Sequence, residues 1–159
     1  MKGKPSKFRA MIRWKREEKP KPAYYSRDHS VTFHDKTELG LSAAPPYFGN
    51  GELVNPEELY VSSISSCHMM TYIYLCYANG MVVAAYKDDA AGYLEEEDGQ
   101  FRIKRVKLRP LITFKTEESR EHRALAIRMV GEAQDECYIS NSIKTKIDIE
   151  PLFIFDPDA

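Results

Sequence analysis

The sequence predicts a mixed α+β protein, because strand-like and helix-like patterns occupy separate stretches of one chain. Several stretches alternate apolar with charged residues, as half-buried strands do. Two others begin with helix-capping residues and continue with apolar residues at helical spacing. The 159 residues, 43% of them hydrophobic, are enough for one domain with a core of its own. We therefore expect a single domain over residues 1–159.

The first 22 residues form a basic segment, with nine Lys or Arg against two Glu in a chain whose net charge is −1. A basic arm of this kind could contact nucleic acid or a membrane surface. Phe8, Ala10, Ile12 and Trp14 alternate with other residues, mostly basic, and this period of two is typical of a strand with one solvated face. We expect the strand, and no nucleic-acid or membrane partner.

Two further strands and a loop are expected before the first helix. The stretch 24–33 places Val31 and Phe33 on one face, and a short strand follows near residues 38–42. Residues 43–54 include two prolines and two glycines, which resist regular structure and predict a loop.

The strongest local signal is a long helix over about residues 56–79. Asn55 is a good N-cap, Pro56 suits the first helical position, and Glu57 places negative charge at the positive end of the helix dipole. Gly80 can adopt the positive φ that commonly ends a helix. Because the helix interior is apolar or small nearly all round, we expect it to be buried at the centre of the fold.

Strands return after this helix, at about residues 81–86, 91–94 and 101–108. Asp98-Gly99 predicts a tight hairpin turn between the last two of them. The apolar alternation shifts phase between Ile103 and Val106, which predicts a bulge.

A second helix is expected over about residues 117–137, with Thr116 as its cap. Its apolar stripe at helical spacing consists of Ala126, Met129, Val130, Ala133 and Cys137. Alternation at residues 143–149 then predicts a last strand.

The cysteine content bears on the redox compartment. Cys67, Cys76 and Cys137 are too few and odd in number for the disulfide framework of a secreted domain. The basic start lacks the apolar core of a signal peptide, and no window reaches about 18 uninterrupted apolar residues. We expect a cytoplasmic protein without a transmembrane helix, in which any disulfide is transient and functional.

Each cysteine has a packing interpretation, and two also have a chemical one. A cysteine on a buried helix is usually a small core residue, but Cys67 lies among serines that leave room around a thiol and supply hydroxyl donors. Cys137 is either a core residue or a thiol within disulfide distance of Cys67, and the sequence leaves both open. Cys76, nine positions after Cys67, faces about 180° away on the helix and is expected to pack.

The sequence predicts no metal site. The histidines and cysteines form no C-x-x-C, no H-E-x-x-H and no histidine pair at helical spacing. Cys67 and His68 are adjacent and point about 100° apart on a helix, so they cannot easily share a metal or act together as a thiol hydrolase. We interpret His68 as an interior histidine with hydrogen-bond partners.

Two motifs stand out by their order and spacing. In NPEELYVSSISSCHMM, Cys67 comes ten residues after Glu57, and in ECYISNSIKTKIDIEP, Cys137 precedes a Ser-Asn pair. With a match from about Tyr24 to Pro151, the chain resembles the OsmC/Ohr family of osmotically inducible and organic-hydroperoxide-resistance proteins. The resemblance implies an OsmC-like fold, with two antiparallel sheets around two central helices in an intertwined homodimer.

The resemblance also implies an activity. Members of the family reduce organic hydroperoxides, and hydrogen peroxide less well, with two cysteines and no bound cofactor. Carried onto this chain, Cys67 is the peroxidatic thiol and Cys137 the resolving thiol. Arg27 would favour the thiolate, and Glu57 would hold that arginine. An external dithiol, such as a dihydrolipoyl or thioredoxin-like protein, would restore both thiols.

Helix geometry adds a prediction about the homodimer. Ten helical residues place Glu57 about 15 Å from Cys67 along the axis, too far for one arginine to contact both in a rigid protomer. We therefore predict that Arg27 and Glu57 of one protomer meet Cys67 of the other. Arg13 and Arg9 are alternatives to Arg27. The alternative function is a non-catalytic OsmC-like stress protein that binds a small apolar ligand.

Overall fold

The computed structural model describes residues 6–16, 25–34 and 37–159. The chain forms two compact units, Met1–Leu59 and Tyr60–Ala159. Strands and α-helices are combined in an α+β fold, as predicted. The expectation of a single domain stays a prediction.

The described part of the N-terminal unit contains one antiparallel sheet of three strands. They are β1 (Ala10–Arg13), β2 (His29–Phe33) and β3 (Thr37–Leu41), with β2 in the middle. Strand β1 confirms the strand predicted from the alternation near the start, although all four of its residues are exposed. The rest of the basic segment at residues 1–5 and 17–22 lies outside the described residues.

Strand β2 is shorter than predicted, since it begins at His29 rather than near residue 24. The Asp28 amide donates to the Ser26 hydroxyl (3.1 Å), and this local turn replaces strand pairing. As a consequence Arg27, expected on a strand, lies in the turn immediately before β2. Residue 24 itself lies outside the described residues.

The loop predicted after β3 is confirmed, apart from one short 3-10 turn. Gly49 is required there, because a Cβ atom would come within 1.6 Å of a backbone carbonyl oxygen of the same loop. The buried Ser42 hydroxyl donates to Asp28 (2.8 Å) and accepts from the Asn50 amide (2.9 Å). These bonds fix the loop against the turn that carries Arg27.

Helix α1 spans Pro56–Ala78, within one residue of the prediction. Asn55 and Glu58 cap its start reciprocally, because each backbone amide donates to the other side chain at 2.9 Å. Gly80 adopts the left-handed conformation after its end (φ 77°). Both ends could be predicted because caps are made by residues close in sequence.

The prediction that α1 is buried all round is wrong for one face within the single chain. Ile64, Tyr72 and Cys76 are buried, whereas Met70 is 59% exposed and Tyr77 is 75% exposed. An uncharged helix signals burial, but this signal does not distinguish burial within the chain from burial against another molecule. The exposed apolar stripe, here called the open face of α1, consists of Met70, Tyr74 and Tyr77.

The C-terminal unit contains six strands. They are β4 (Val83–Asp88), β5 (Ala91–Glu97), β6 (Gln100–Leu108), β7 (Pro110–Phe114), β8 (Lys146–Ile149) and β9 (Leu152–Phe155). They form two sheets, in the orders β4-β7-β9 and β5-β6-β8. In each sheet the last strand pairs in parallel, β9 with β7 and β8 with β6.

Pairing of the described strands therefore departs from the expected antiparallel sheets only in β8 and β9, which pair in parallel. The described chain has three sheets, of which only the N-terminal one is wholly antiparallel. Strands β8 and β9 come after a helical crossover, and a crossover of this kind allows parallel pairing.

The predicted hairpin and bulge are confirmed. Asp98 and Gly99 both have positive φ (53° and 75°), as the tight turn between β5 and β6 requires. The strand register shifts so that Lys104 is an extra residue between Ile103 and Arg105.

Strands β7 and β9 were not predicted. Each is a short apolar run without clear alternation, and periodicity alone does not assign such a run. The last predicted strand, at 143–149, is β8 and begins three residues later, at Lys146.

Helix α2 spans Arg120–Glu136 and begins later than predicted. Its N-cap is Ser119, not Thr116, because the Ser119 hydroxyl accepts a hydrogen bond from the His122 amide (3.0 Å). The His122 ring also bonds to the Glu117 carbonyl (2.8 Å), which keeps the preceding residues in a loop.

The main core of the C-terminal unit joins both helices to the sheet β4-β7-β9. Its members include Tyr72, Cys76, Ile112, Phe114, Ala126, Met129 and Ala133. On the same helix α1, Ile64 packs with Val106 and Leu108 of β6 in a second cluster. Helix α1 is thus anchored to both sheets of this unit, which fixes the position of Cys67 near its middle.

Candidate thiol site

The structure brings Cys67 and Cys137 together. Their Sγ atoms are 2.6 Å apart, and both thiols are free. Cys67 lies in the middle of α1 and Cys137 directly follows α2, so the contact joins two residues that are 70 positions apart. Cys137 is thus both a buried residue and a thiol in contact with Cys67, and its role as resolving thiol stays a prediction.

The end of α2 explains the position of Cys137. The residue is fully buried and has extended backbone angles (φ −71°, ψ 117°) that end the helix. The Asn141 amide donates to the Cys137 carbonyl (3.0 Å), and the Asn141 side chain donates to the Asp135 carbonyl (2.8 Å). The Ser140 amide donates to Cys137 Sγ (3.4 Å). The Ser-Asn pair of the second motif therefore caps the helix and holds the thiol.

Burial raises the pKa of Cys67 above its ordinary value, because it disfavours the thiolate. The hydrogen bond to Cys137 raises this pKa further, whereas the backbone amides of Ile139 and Tyr138 donate to the sulfur and lower it. The net direction is upward. The Cys67 thiol in this chain is therefore less acidic than a reactive cysteine needs to be.

Two of the serines near Cys67, Ser63 and Ser65, do not act as the sequence suggested. The Ser63 hydroxyl donates to the Tyr60 carbonyl (2.7 Å), and the Ser65 hydroxyl donates to the carboxylate of Asp88. These two serines satisfy backbone and side-chain groups instead of the thiol.

His68 is an interior histidine, as predicted, with only 1% of its surface exposed. Its two ring nitrogens lie 3.3 Å from the Tyr86 hydroxyl and 3.4 Å from the Val130 carbonyl. Burial lowers the pKa of His68, which keeps the ring neutral. The ring also stacks on Tyr72, so His68 is part of the core.

Cys76 packs in the core, as predicted from its position opposite Cys67. It is fully buried, and burial raises the pKa of its thiol to about 11. A thiol with this pKa is almost entirely protonated at neutral pH and is inert as a nucleophile.

Arg27 and Glu57 line the same pocket of the N-terminal unit, which has a volume of about 690 Å³. Trp14, Tyr25 and Tyr47 contribute aromatic walls to it. The Arg27 guanidinium lies 4.8 Å from the centre of the Tyr25 ring, within cation–π range. The pocket thus combines apolar walls with a cation, and the predicted Arg27–Glu57 ion pair stays a prediction.

The two alternatives to Arg27 lie outside the walls of this pocket. Arg13 donates to Thr32 of the neighbouring strand (3.4 Å), and Arg9 lines a different, more polar pocket. Arg16, which the sequence did not single out, also lines the pocket of Arg27. In the sequence, Arg16 is one of several basic residues in the first 22. Nothing in the sequence distinguishes it from the neighbouring Lys and Arg residues.

Within residues 6–16, 25–34 and 37–159, no three or more His, Cys, Asp or Glu residues are grouped as metal ligands. None of the helices described in the structure has the length and apolar character required to cross a membrane.

Comparison with known proteins identifies the family. The family model for OsmC-like proteins matches residues 49–151, about two thirds of the chain. The uncharacterized protein YmaD of Bacillus subtilis (strain 168) is 24% identical over 102 residues, which cover 64% of this chain and 68% of YmaD.

Solved structures agree in fold. The OsmC-like protein VCA0330 of Vibrio cholerae, of unknown function, is 29% identical with a TM-score of 0.83, covering 92% of this chain and 99% of that one. An organic hydroperoxide resistance protein from Elizabethkingia anophelis is 18% identical with a TM-score of 0.70, covering 98% and 100%. The chain belongs to the OsmC-like protein family, in which some members are organic hydroperoxide resistance proteins.

Proposed function

We propose that this protein is a thiol-dependent peroxidase that reduces organic hydroperoxides, and hydrogen peroxide less well. The observation that carries the proposal is the 2.6 Å distance between the Sγ atoms of Cys67 and Cys137. Two free thiols from distant parts of the chain whose sulfur atoms are in contact are well placed to form a disulfide.

The reaction follows from thiol chemistry. The Cys67 thiolate attacks one oxygen of the peroxide, an S–O bond forms as the O–O bond breaks, and the alcohol leaves. Cys137 then attacks the sulfur of the Cys67 sulfenic acid, which gives a disulfide and releases water. An external dithiol, of dihydrolipoyl or thioredoxin-like type, restores both thiols by exchange, so no bound cofactor is needed.

Activation of Cys67 needs a positive charge, because its own surroundings raise the thiol pKa. We assign this charge to Arg27, held by Glu57, of a second copy of the chain. The pairing of Arg27 with Glu57 is supported by the pocket that both residues line. The assignment to a second copy of the chain is supported by helix geometry, because ten helical residues place Glu57 about 15 Å from Cys67 along the axis. The open face of α1 is the surface on which a homodimer would form.

The walls of the pocket favour an apolar substrate. Its rings, from Trp14, Tyr25 and Tyr47, suit an alkyl or aryl hydroperoxide better than hydrogen peroxide. The three free cysteines are consistent with a reducing compartment, and we propose the cytoplasm.

The first experiment titrates the reduced protein with cumene hydroperoxide, counts the remaining thiols and maps the products by mass spectrometry. We expect rapid loss of two thiols and a Cys67–Cys137 disulfide. Cys137→Ser should lose one thiol and form a dimedone-trapped sulfenic acid at Cys67, whereas Cys67→Ser should not react. A wild-type rate no faster than that of free cysteine would refute the peroxidase.

The pocket of the N-terminal unit also favours a second candidate, the binding of a small apolar ligand without catalysis. In that case an apolar fluorescent probe binds wild type and Cys67→Ser equally, and Trp14→Ala weakens the binding. Rapid peroxide turnover by wild type would exclude this alternative as the main function.

A further inference from the structure

The loop after α2 surrounds the two sulfur atoms with backbone donors. The amides of Tyr138 and Ile139 donate to Cys67 Sγ, and the amide of Ser140 donates to Cys137 Sγ (3.4 Å). Successive backbone amides that point to one side form an anion-binding concavity. We call the segment Tyr138–Ser140 the amide nest.

The side chain of Ser140 adds one more donor at this place. Over the part of the chain that the structure describes, Ser140 Oγ is the only buried side-chain oxygen or nitrogen without a hydrogen-bond partner. Buried polar atoms without a partner are rare because they lose solvation without compensation. Three covalent bonds separate Oγ from the backbone nitrogen of the same residue, so it lies within about 4 Å of the amide that donates to Cys137 Sγ.

Other serines near Cys67 or Cys137 in the sequence lack this feature. The Ser142 hydroxyl donates to the Tyr138 carbonyl (2.7 Å), and the Ser63 hydroxyl donates to the Tyr60 carbonyl (2.7 Å). Both hydroxyl protons are therefore already donated to backbone carbonyl groups. The Ser140 proton remains available for an acceptor that arrives during a reaction at the sulfur pair.

We propose that the Ser140 hydroxyl donates a hydrogen bond to the oxygen atom that a peroxide transfers to Cys67, while the amides of Tyr138 and Ile139 hold the sulfur. This inference rests on the proposed function, because oxidation of Cys67 creates the oxygen. The acceptor is therefore the oxygen of the Cys67 sulfenic acid, or of its anion.

Ser140 acts in the second step of the reaction. The Cys137 thiolate attacks the Cys67 sulfur, the S–S bond forms, and the S–O bond breaks with its electron pair on the departing hydroxide. The Ser140 hydrogen bond stabilises the negative charge that develops on this oxygen. The hydroxide takes a proton from solvent to give water, and Ser140 keeps its own proton.

The test separates this step from the first. Reduced protein is mixed with one equivalent of cumene hydroperoxide, and samples are quenched with dimedone to measure the sulfenic acid and the disulfide over time. In Ser140→Ala we expect disulfide formation to slow about tenfold or more, with more dimedone adduct at Cys67. Ser140→Thr keeps a hydroxyl and should stay within about threefold of wild type.

Two controls distinguish this role from a structural one. Ser63→Ala removes a hydroxyl that also bonds to a backbone carbonyl, outside the amide nest, and should form the disulfide at the wild-type rate. Ser140→Ala should unfold in urea at the same or a higher concentration than wild type, because no hydrogen bond is lost. The pH profile of Cys67 alkylation should also match wild type, since the amides, and not the hydroxyl, hold the sulfur.

The inference is overturned if Ser140→Ala forms the disulfide as fast as wild type, or if Ser63→Ala slows it equally. Failure of the proposed function has a different signature, namely slow oxidation of wild-type Cys67 by cumene hydroperoxide. In that case millimolar hydrogen peroxide generates the sulfenic acid chemically, and the variants are compared in the same way for the second step.

Discussion

Asp88, at the end of β4, accepts a hydrogen bond from the hydroxyl of Ser65, two residues before Cys67 on α1. Its other carboxylate oxygen accepts from the Arg109 amide (2.6 Å), which lies between β6 and β7. One carboxylate therefore ties the helix that carries Cys67 to strands of both sheets in its unit.

Replacing this carboxylate should destabilise the fold. Asp88→Ala leaves two donors without their partner, so we expect the free energy of unfolding to fall by about 1–3 kcal/mol. Asp89→Ala, at the exposed neighbouring position, is the matched control and should change it by less than about 0.5 kcal/mol. Urea unfolding measures both, and equal effects would contradict the role of Asp88.

His68 should make stability depend on pH. Its pKa is lowered in the folded protein, so the unfolded chain, with a pKa of about 6.5, binds more protons. The contribution of neutral His68 to the free energy of unfolding is complete above a pH of about 6.5. It is lost as the pH falls from there through the pKa of His68 in the folded protein. We expect wild type to lose more stability between pH 7.5 and 5.5 than His68→Gln in urea unfolding.

The control for this pH effect is His34→Asn, since His34 is exposed and Asn tolerates its positive φ of 50°. This variant should keep the wild-type difference between the two pH values. The same pH dependence in His68→Gln would refute the assignment.

The open face of α1 should control assembly. Tyr74→Glu places a charge on this face, and a buried unpaired charge is strongly unfavourable at an interface. We expect the dimer to weaken at least tenfold in sedimentation experiments, with a parallel loss of peroxide reduction. Ile127→Glu, at a 57% exposed apolar site on α2, should leave assembly unchanged. A fully active, strictly monomeric wild type would refute the shared site.

Arg27 should set the acidity of Cys67. A guanidinium near a thiol lowers its pKa, so Arg27→Ala should raise the pKa of Cys67. The pH profile of iodoacetamide alkylation measures this shift, and reaction with cumene hydroperoxide at pH 7 should slow roughly tenfold. Arg13→Ala, on β1, should match wild type in both measurements. An unshifted profile in Arg27→Ala would assign activation to another group.

Features of the fold that depend on nearby residues could be predicted from the sequence. The ends of α1 followed from Asn55 and Gly80, and the hairpin followed from Asp98-Gly99, because caps and tight turns are local. Where two local signals competed, the prediction failed. Thr116 and Ser119 are both good N-caps, and only the bond to the His122 amide shows which one begins α2.

Features that depend on distant partners could not be predicted in this way. Strand β9 pairs with β7, which lies about forty residues earlier in the chain. The open face of α1 is exposed because no other described part of the chain packs against it. At the site, the motifs pointed to Cys67 and Cys137, but the distance between them required the fold. The contribution of the amide nest to the site could not be predicted, because backbone amides are the same in nearly every residue type.

The contact between Cys67 and Cys137 also ties redox state to heat resistance. Once joined, these residues would close a loop spanning 70 positions. Because the disulfide lowers the conformational entropy of the unfolded chain, it would stabilise the folded protein by about 4 kcal/mol. Oxidised protein would then melt well above reduced protein. In each catalytic cycle the protein would alternate between an oxidised form with a higher melting temperature and a reduced form with a lower one. A melting curve would therefore report the fraction of molecules in the oxidised form.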